Sequence, residues 1–173
     1  ELTPKSIGEV QHLEILCEDF KPEGEIFDNF LMNTVIPYVE NNFPVCTDRQ
    51  NVAVCGSSSG GLMSFFSAFE HPEKFGYAGV FSPAFLCYTR EDWAKYLSAK
   101  IVENMPYLYI YTGNGDELEE MIFESTEMLY ELLEESFYPY DRMNEVILFE
   151  NAHNEKSWRE IFPDFLHTFL SRL

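Results

Sequence analysis

Three consecutive serines, Ser57, Ser58 and Ser59, stand between glycines in NVAVCGSSSGGLMS, residues 51–64. Composition alone makes this a flexible Ser/Gly loop. A serine hydroxyl can also act as a nucleophile, provided that a base activates it and a third group orients the base. Only Ser58 has a glycine two places away on both sides, Gly56 and Gly60. Ser57 has Cys55 and Ser59 at those positions, and Ser59 has Ser57 and Gly61. The spacing is that of G-x-S-x-G, a sharp turn that lifts a serine hydroxyl out between a strand and a helix. A nucleophile held there at positive φ is expected to bring its neighbours at ±2 too close for side chains. Gly61 is expected to let the following helix pack tightly on the sheet. The amide of Ser59, at the start of that helix, is placed to bind a developing oxyanion.

Base and acid should follow the serine in the order Ser, then Asp or Glu, then His. The chain has four histidines. His12 and His71 precede the acid candidates, and His167 sits between Phe165 and Phe169 in a helical pattern, which suits packing or surface. His153, in ENAHNEKSW, follows the last strand-like run, where the active-site loops of parallel sheets gather. For the acid, Asp116 in YTGNGDELEE directly follows a strand-like run, and Glu117 is the alternative. Each signal has a plain structural reading as well. An Asp before ELEE can be only a helix cap, and a loop histidine can have no role. All three in order, each after its own strand, point to a serine hydrolase.

The elements that must position these residues alternate between strand and helix. Strands are expected over 12–18 (HLEILCE), 51–56, 77–82, 107–113 and 145–150, from short apolar, β-branched and aromatic runs. Helices are expected over 25–43, broken or kinked at Pro37, from the elbow to Pro72, over 90–100, over 117–136, and from 155 onward with Pro163 disturbing it. In the 117–136 helix Leu118, Ile122, Leu129, Leu132 and Leu133 repeat at helical spacing. Glu119, Glu120, Glu124, Glu127, Glu131 and Glu134 read mainly as a solvated acidic face. Strands joined through helices predict a parallel sheet covered on both faces, in one domain spanning residues 1–173.

Composition limits the partners. The 173 residues include 30 acidic and 11 basic side chains, for a formal charge of −19. Nucleic acid and anionic membrane surfaces both need a basic patch, so neither is expected. A field of this sign also favours a neutral substrate over an anionic one. Cys17, Cys46, Cys55 and Cys87 are widely spaced, with no pattern for zinc, and are expected as reduced thiols. The start ELTPKSIGEV shows no signal-peptide pattern and no Met, and the compartment stays open: extracellular for an enzyme of polysaccharide breakdown, cytoplasmic otherwise.

TDRQNVAVCGSSSGGLMS resembles the TDR…G-x-S-x-G-G segment of the putative esterase family. IPYVENNFPVCTDR is similar to the helix and loop before that family's elbow, GNGD (113–116) to its acid segment, and AHNEKSW to its G-H-x-x-x-x-W segment. The likeness covers about residues 25–173. It implies the α/β-hydrolase fold and a triad of Ser58, Asp116 and His153, with no metal and no organic cofactor. The family includes feruloyl and acetylxylan esterases, enterochelin esterases and S-formylglutathione hydrolases, and the feruloyl/acetylxylan type matches best at the Asp segment. The implied substrate is an acetyl or feruloyl ester on a plant polysaccharide such as xylan. The alternatives are a siderophore or small thioester on the same triad, or a non-catalytic carbohydrate-binding or structural remnant. Phe85, within FSPAFLCYTREDW (81–93), and Trp158 are candidate pocket residues, with core packing the competing reading of 81–93. Family members carry more strands before the elbow, so the domain is expected to be N-terminally incomplete and to adjoin other domains of a larger polypeptide.

Overall fold

The structure is a computed structural model and describes residues 2–12, 21–101 and 103–172. Four strands, β1 (Ala53–Ser57), β2 (Tyr77–Phe81), β3 (Tyr107–Thr112) and β4 (Met143–Ile147), form one fully parallel sheet in the order β1-β2-β3-β4. Each crossover carries a helix: α3 (Ser59–Glu70), α4 (Arg90–Lys100) and α5 (Glu117–Glu135). Before β1 lie α1 (Gly24–Phe30) and α2 (Ile36–Asn42), and α6 (Glu155–Leu170) follows β4. Beyond residue 12, the strand expected over 12–18 falls outside the described residues. Among the described residues β1 is an edge strand.

The period of two along each strand decides what each face buries. Ala78 and Val80 of β2, with Leu108 and Ile110 of β3, join the large core built by α3, α4 and α5. The alternate positions Phe81, Tyr107, Tyr109 and Tyr111 pack with Ile161 and Phe165 of α6 on the other face. All six residues of β3 are buried, as an interior parallel strand covered on both sides requires. The aromatic content of the chain is thereby explained mainly by packing: Phe65 meets Phe69, Phe85 and Trp93 at centroid distances of 4.2–5.7 Å.

Three boundaries differ from the sequence expectation. The 25–43 helix is two helices joined by a π-helical turn, Leu31–Val35, with Pro37 in the first turn of α2. A proline has no N–H for the helical ladder, so the wider turn is inserted just before it. The last strand lies earlier than 145–150, because its register pairs Met143–Ile147 with Leu108–Thr112. The chain then turns out of the sheet, and Glu150 takes φ 72°. Pro163 does not break α6, which runs unbroken through it and is held on the sheet by buried Phe165 and by Asp164 accepting the Tyr109 hydroxyl at 2.6 Å. On the opposite face, Asp28 ties α1 to α3 by accepting the Ser67 hydroxyl at 2.6 Å and contacting His71 Nε2 at 2.7 Å.

Candidate active site

β1 ends at Ser57, α3 begins at Ser59, and Ser58 between them takes φ 57° and ψ −123°. A non-glycine residue rarely adopts that conformation, and it persists only where the surroundings fix it. Here the Ser58 N–H donates to the Phe81 carbonyl at 2.9 Å, and its carbonyl accepts the N–H groups of Leu62 and Ala84. A Cβ at Gly56 would sit 2.6 Å from the Gly60 carbonyl oxygen, and one at Gly61 would sit 2.8 Å from the Phe81 carbonyl oxygen. Both glycines are required by the close approach of backbones. Gly60 differs from the expectation: a Cβ there would meet nothing within 4 Å, because its α-carbon faces open space. Its proximity to Gly56 is a matter of its backbone.

His153 lies on the loop between β4 and α6 and reaches back across the top of the sheet. Its Nε2 is 3.0 Å from Ser58 Oγ, and its Nδ1 is 2.7 Å from a carboxylate oxygen. That carboxylate belongs to Glu119 and not to Asp116. A carboxylate only accepts, so the proton of the pair sits on Nδ1 and leaves the Nε2 lone pair facing the serine hydroxyl.

Asp116 is exposed and plays a different part. One carboxylate oxygen caps α5 by accepting the N–H of Glu119 at 2.8 Å, and the other accepts the backbone N–H of His153 at 2.8 Å. The physical reason is that an N-cap side chain turns back on its own helix. With α5 starting at Glu117, position 119 is the one that turns inward to the sheet. Asp116 thus pins the helix that carries Glu119 to the loop that carries His153. Glu117, the alternative acid, is exposed in the first turn of α5.

Glu119 is 0% exposed, and its only ion-pair partner among the described residues is His153. Three hydrogen-bond donors compensate for the burial. The Ser82 hydroxyl donates to Oε1 at 2.6 Å, the Gly113 N–H donates to Oε1 at 2.8 Å, and His153 takes Oε2. Sequence reasoning placed Glu119 on the solvated face of the 117–136 helix, yet the signal was present. Residues 119, 122, 126, 129 and 133 share one stripe at alternating spacings of three and four, and Ile122, Thr126, Leu129 and Leu133 are all buried. A glutamate on the buried stripe is the exception to explain.

Trp158 packs edge-on against the His153 ring, with centroids 5.1 Å apart, and its indole N–H donates to Ser82 Oγ at 2.9 Å. It also lines a cavity of about 400 Å³ beside the elbow, with Ser57, Phe81, Arg159 and Phe162. Phe85 is not a pocket residue. It is 0% exposed and wedged between Phe65 and Trp93 in the core, because 85–87 form a short 3₁₀ turn under the sheet's helical layer. The Ser59 amide stands at the N-terminus of α3, beside Ser58. Among the described residues no group of three His, Cys, Asp or Glu side chains is placed to hold a metal ion.

Comparison with known proteins agrees with this architecture. The family model described as "Putative esterase" matches residues 17–169. An endo-1,4-beta-xylanase/feruloyl esterase of Xylanibacter ruminicola is 32% identical over 107 residues, covering 61% of this chain and 13% of that protein. The enterobactin esterase FES of Shigella flexneri superposes with a TM-score of 0.72 at 19% identity, covering 84% of this chain and 38% of that one. A CE1 ferulic acid esterase of Anaeromyces mucronatus, solved with ferulic acid, superposes with a TM-score of 0.63 at 20% identity, covering 85% and 56%. The fold is therefore that of the α/β-hydrolase esterases. The chain spans less than two thirds of the length of each of these proteins.

Proposed function

The chain belongs to the putative esterase family, and from that premise we propose that it is a serine esterase acting through Ser58, His153 and Glu119. The observation that carries the proposal is the position of His153, with one ring nitrogen on the Ser58 hydroxyl and the other on a buried carboxylate. In the reaction Ser58 Oγ attacks the ester carbonyl as its proton passes to His153 Nε2. Glu119 keeps the imidazole in the required tautomer and stabilises the imidazolium. The amide of Ser59 donates to the oxyanion of the tetrahedral intermediate. His153 then returns the proton to the leaving alcohol. A water molecule attacks the acyl-enzyme as its proton passes to His153, which returns that proton to Ser58 Oγ as the carboxylic acid leaves.

The substrate class we favour is a feruloyl or acetyl ester on a plant polysaccharide. The relative from Xylanibacter ruminicola bears the name of a feruloyl esterase. The cavity beside the elbow, with Phe81, Trp158 and Phe162 in its wall, suits a flat aromatic acyl group. A siderophore ester is the second reading, supported by the likeness to the enterobactin esterase. The charge of −19 opposes it, since it slows the approach of an anionic substrate.

Purified protein is expected to hydrolyse methyl ferulate and p-nitrophenyl acetate, and Ser58→Ala to lower kcat by about 10⁴-fold or more. Full activity in Ser58→Ala would sink the assignment. A folded wild type that neither turns over these esters nor reacts with a fluorophosphonate would support a non-catalytic role. Faster turnover of a catecholate siderophore ester than of methyl ferulate would favour the second reading.

A further inference from the structure

The acid of the proposed triad has neighbours that the reaction scheme does not use. Ser82 immediately follows β2 and is 0% exposed. Its backbone takes φ 40°, and the next residue is Pro83. Positive φ is unfavourable for serine. A glycine at position 82 would relieve that cost. The N–H of Ser82 donates to the Tyr111 carbonyl at 2.7 Å, which anchors the strained residue to β3.

The strain aims the hydroxyl at Glu119. Ser82 Oγ donates to Glu119 Oε1 at 2.6 Å and accepts the Trp158 indole N–H at 2.9 Å. The indole can only donate, so the serine proton is directed away from it and onto the carboxylate. Donor follows donor along Trp158, Ser82 and Glu119, and each bond polarises the next. The same tryptophan ring packs edge-on against His153. One side chain thereby bears on both partners of the acid–base pair.

We infer that Ser82 is a positioning residue, whose hydroxyl, oriented by the Trp158 indole, holds Glu119 in the rotamer that grips His153 Nδ1. This rests on the proposed esterase reading. Without the hydroxyl, Oε1 keeps only the Gly113 N–H, and the carboxylate is free to rock away from the imidazole. A carboxylate that rocks away stabilises the imidazolium less.

Two variants separate this role from simple support of the fold. Ser82→Ala removes the hydroxyl and keeps the Cβ, while Ser82→Gly removes both and relieves the positive φ. Both are expected to lower kcat for methyl ferulate by about 10- to 100-fold with little change in KM. Both should move the acid limb of the kcat/KM profile to lower pH, even though the glycine variant should be the more thermostable of the two. Trp158→Phe, which keeps a ring but no N–H, should lower kcat less and shift the limb the same way. The far-downfield proton signal of His153 Nδ1, recorded by NMR, should move in all three. An unchanged pH profile and an unmoved Nδ1 signal in Ser82→Ala and Ser82→Gly would overturn the inference. A wild type inert to ester and fluorophosphonate would overturn the esterase reading instead, and the Nδ1 signal would still decide the role of Ser82.

Discussion

Helix α5 carries one glutamate and faces another, and the two have opposite surroundings. Glu119, in its first turn, is fully buried and receives three donors: a hydroxyl, a backbone N–H and an imidazole. Glu145, on β4, is only half-buried but faces Glu127 and Glu134 of the same helix. One of its oxygens is buried without a hydrogen-bond partner. Burial and the neighbouring Glu127 push the Glu145 carboxyl up to about 7. Depth of burial alone therefore does not set how well a carboxyl group is accommodated. The donors arranged around it do. Donors surround Glu119 where it meets His153 and Ser58, while Glu127, Glu134 and Glu145 crowd one another along the side of α5.

Changing Glu119 to glutamine is expected to have the largest effect. Oε1 faces two donors, the Ser82 hydroxyl and the Gly113 N–H, so the amide oxygen must take that place. The amide nitrogen then faces His153 Nδ1 as a donor. The imidazole answers by moving its proton to Nε2, the nitrogen that should accept from Ser58. Glu119→Gln is expected to lower kcat by about 10⁴-fold with little effect on folding. A loss of less than tenfold would remove Glu119 from the proposed triad.

Asp116 gives the next largest effect and distinguishes it from Glu119. Asp116→Ala deletes the α5 cap, at a cost of about 1 kcal/mol, and frees the backbone of His153. Expected are a lower Tm and a kcat reduced by about 10- to 100-fold, through displacement of groups that remain chemically intact. Asp116→Asn, which can still accept one of the two N–H groups, should lie between alanine and wild type. A loss in Asp116→Ala as large as that in Glu119→Gln would restore Asp116 as the acid.

How much of this was legible in the sequence depends on the range of the interaction. The elbow was legible because its constraint is local: the glycines at 56 and 61 are forced by atoms four or five residues away, or on the adjacent strand. β3 was legible because six consecutive buried residues leave little else for YLYIYT to be. The carboxylate that meets the His153 ring was not, because Asp116 and Glu119 are three residues apart, and both carboxylates contact His153 in different ways. A motif that ends at the first turn of a helix records that an acid is near and leaves open which turn faces inward. Only the stripe through Ile122, Thr126, Leu129 and Leu133 settles that. Ser82 was hidden for a similar reason. Its partners, Glu119 and Trp158, stand 37 and 76 residues away, and nothing in FSPAF marks a serine at positive φ.

The smallest expected effect belongs to the other glutamate. A carboxyl raised from 4.5 to about 7 is held protonated by the fold, so the folded state binds more protons than the unfolded chain between those values. Stability from this group therefore falls as pH rises from about 4.5, and the full penalty is present above about 7. Glutamine is neutral at every pH and close in shape, and it can still hydrogen-bond to Glu127. Glu145→Gln should raise Tm by a few degrees, roughly 2–4 °C, at pH 8. The gain should shrink through pH 6 and vanish near pH 4, while activity on methyl ferulate stays at the wild-type level. Melting curves at the three pH values check this. A gain that is constant with pH would mean that Glu145 packs poorly for reasons unrelated to its charge, and the contrast with Glu119 would then rest on shape and not on donors.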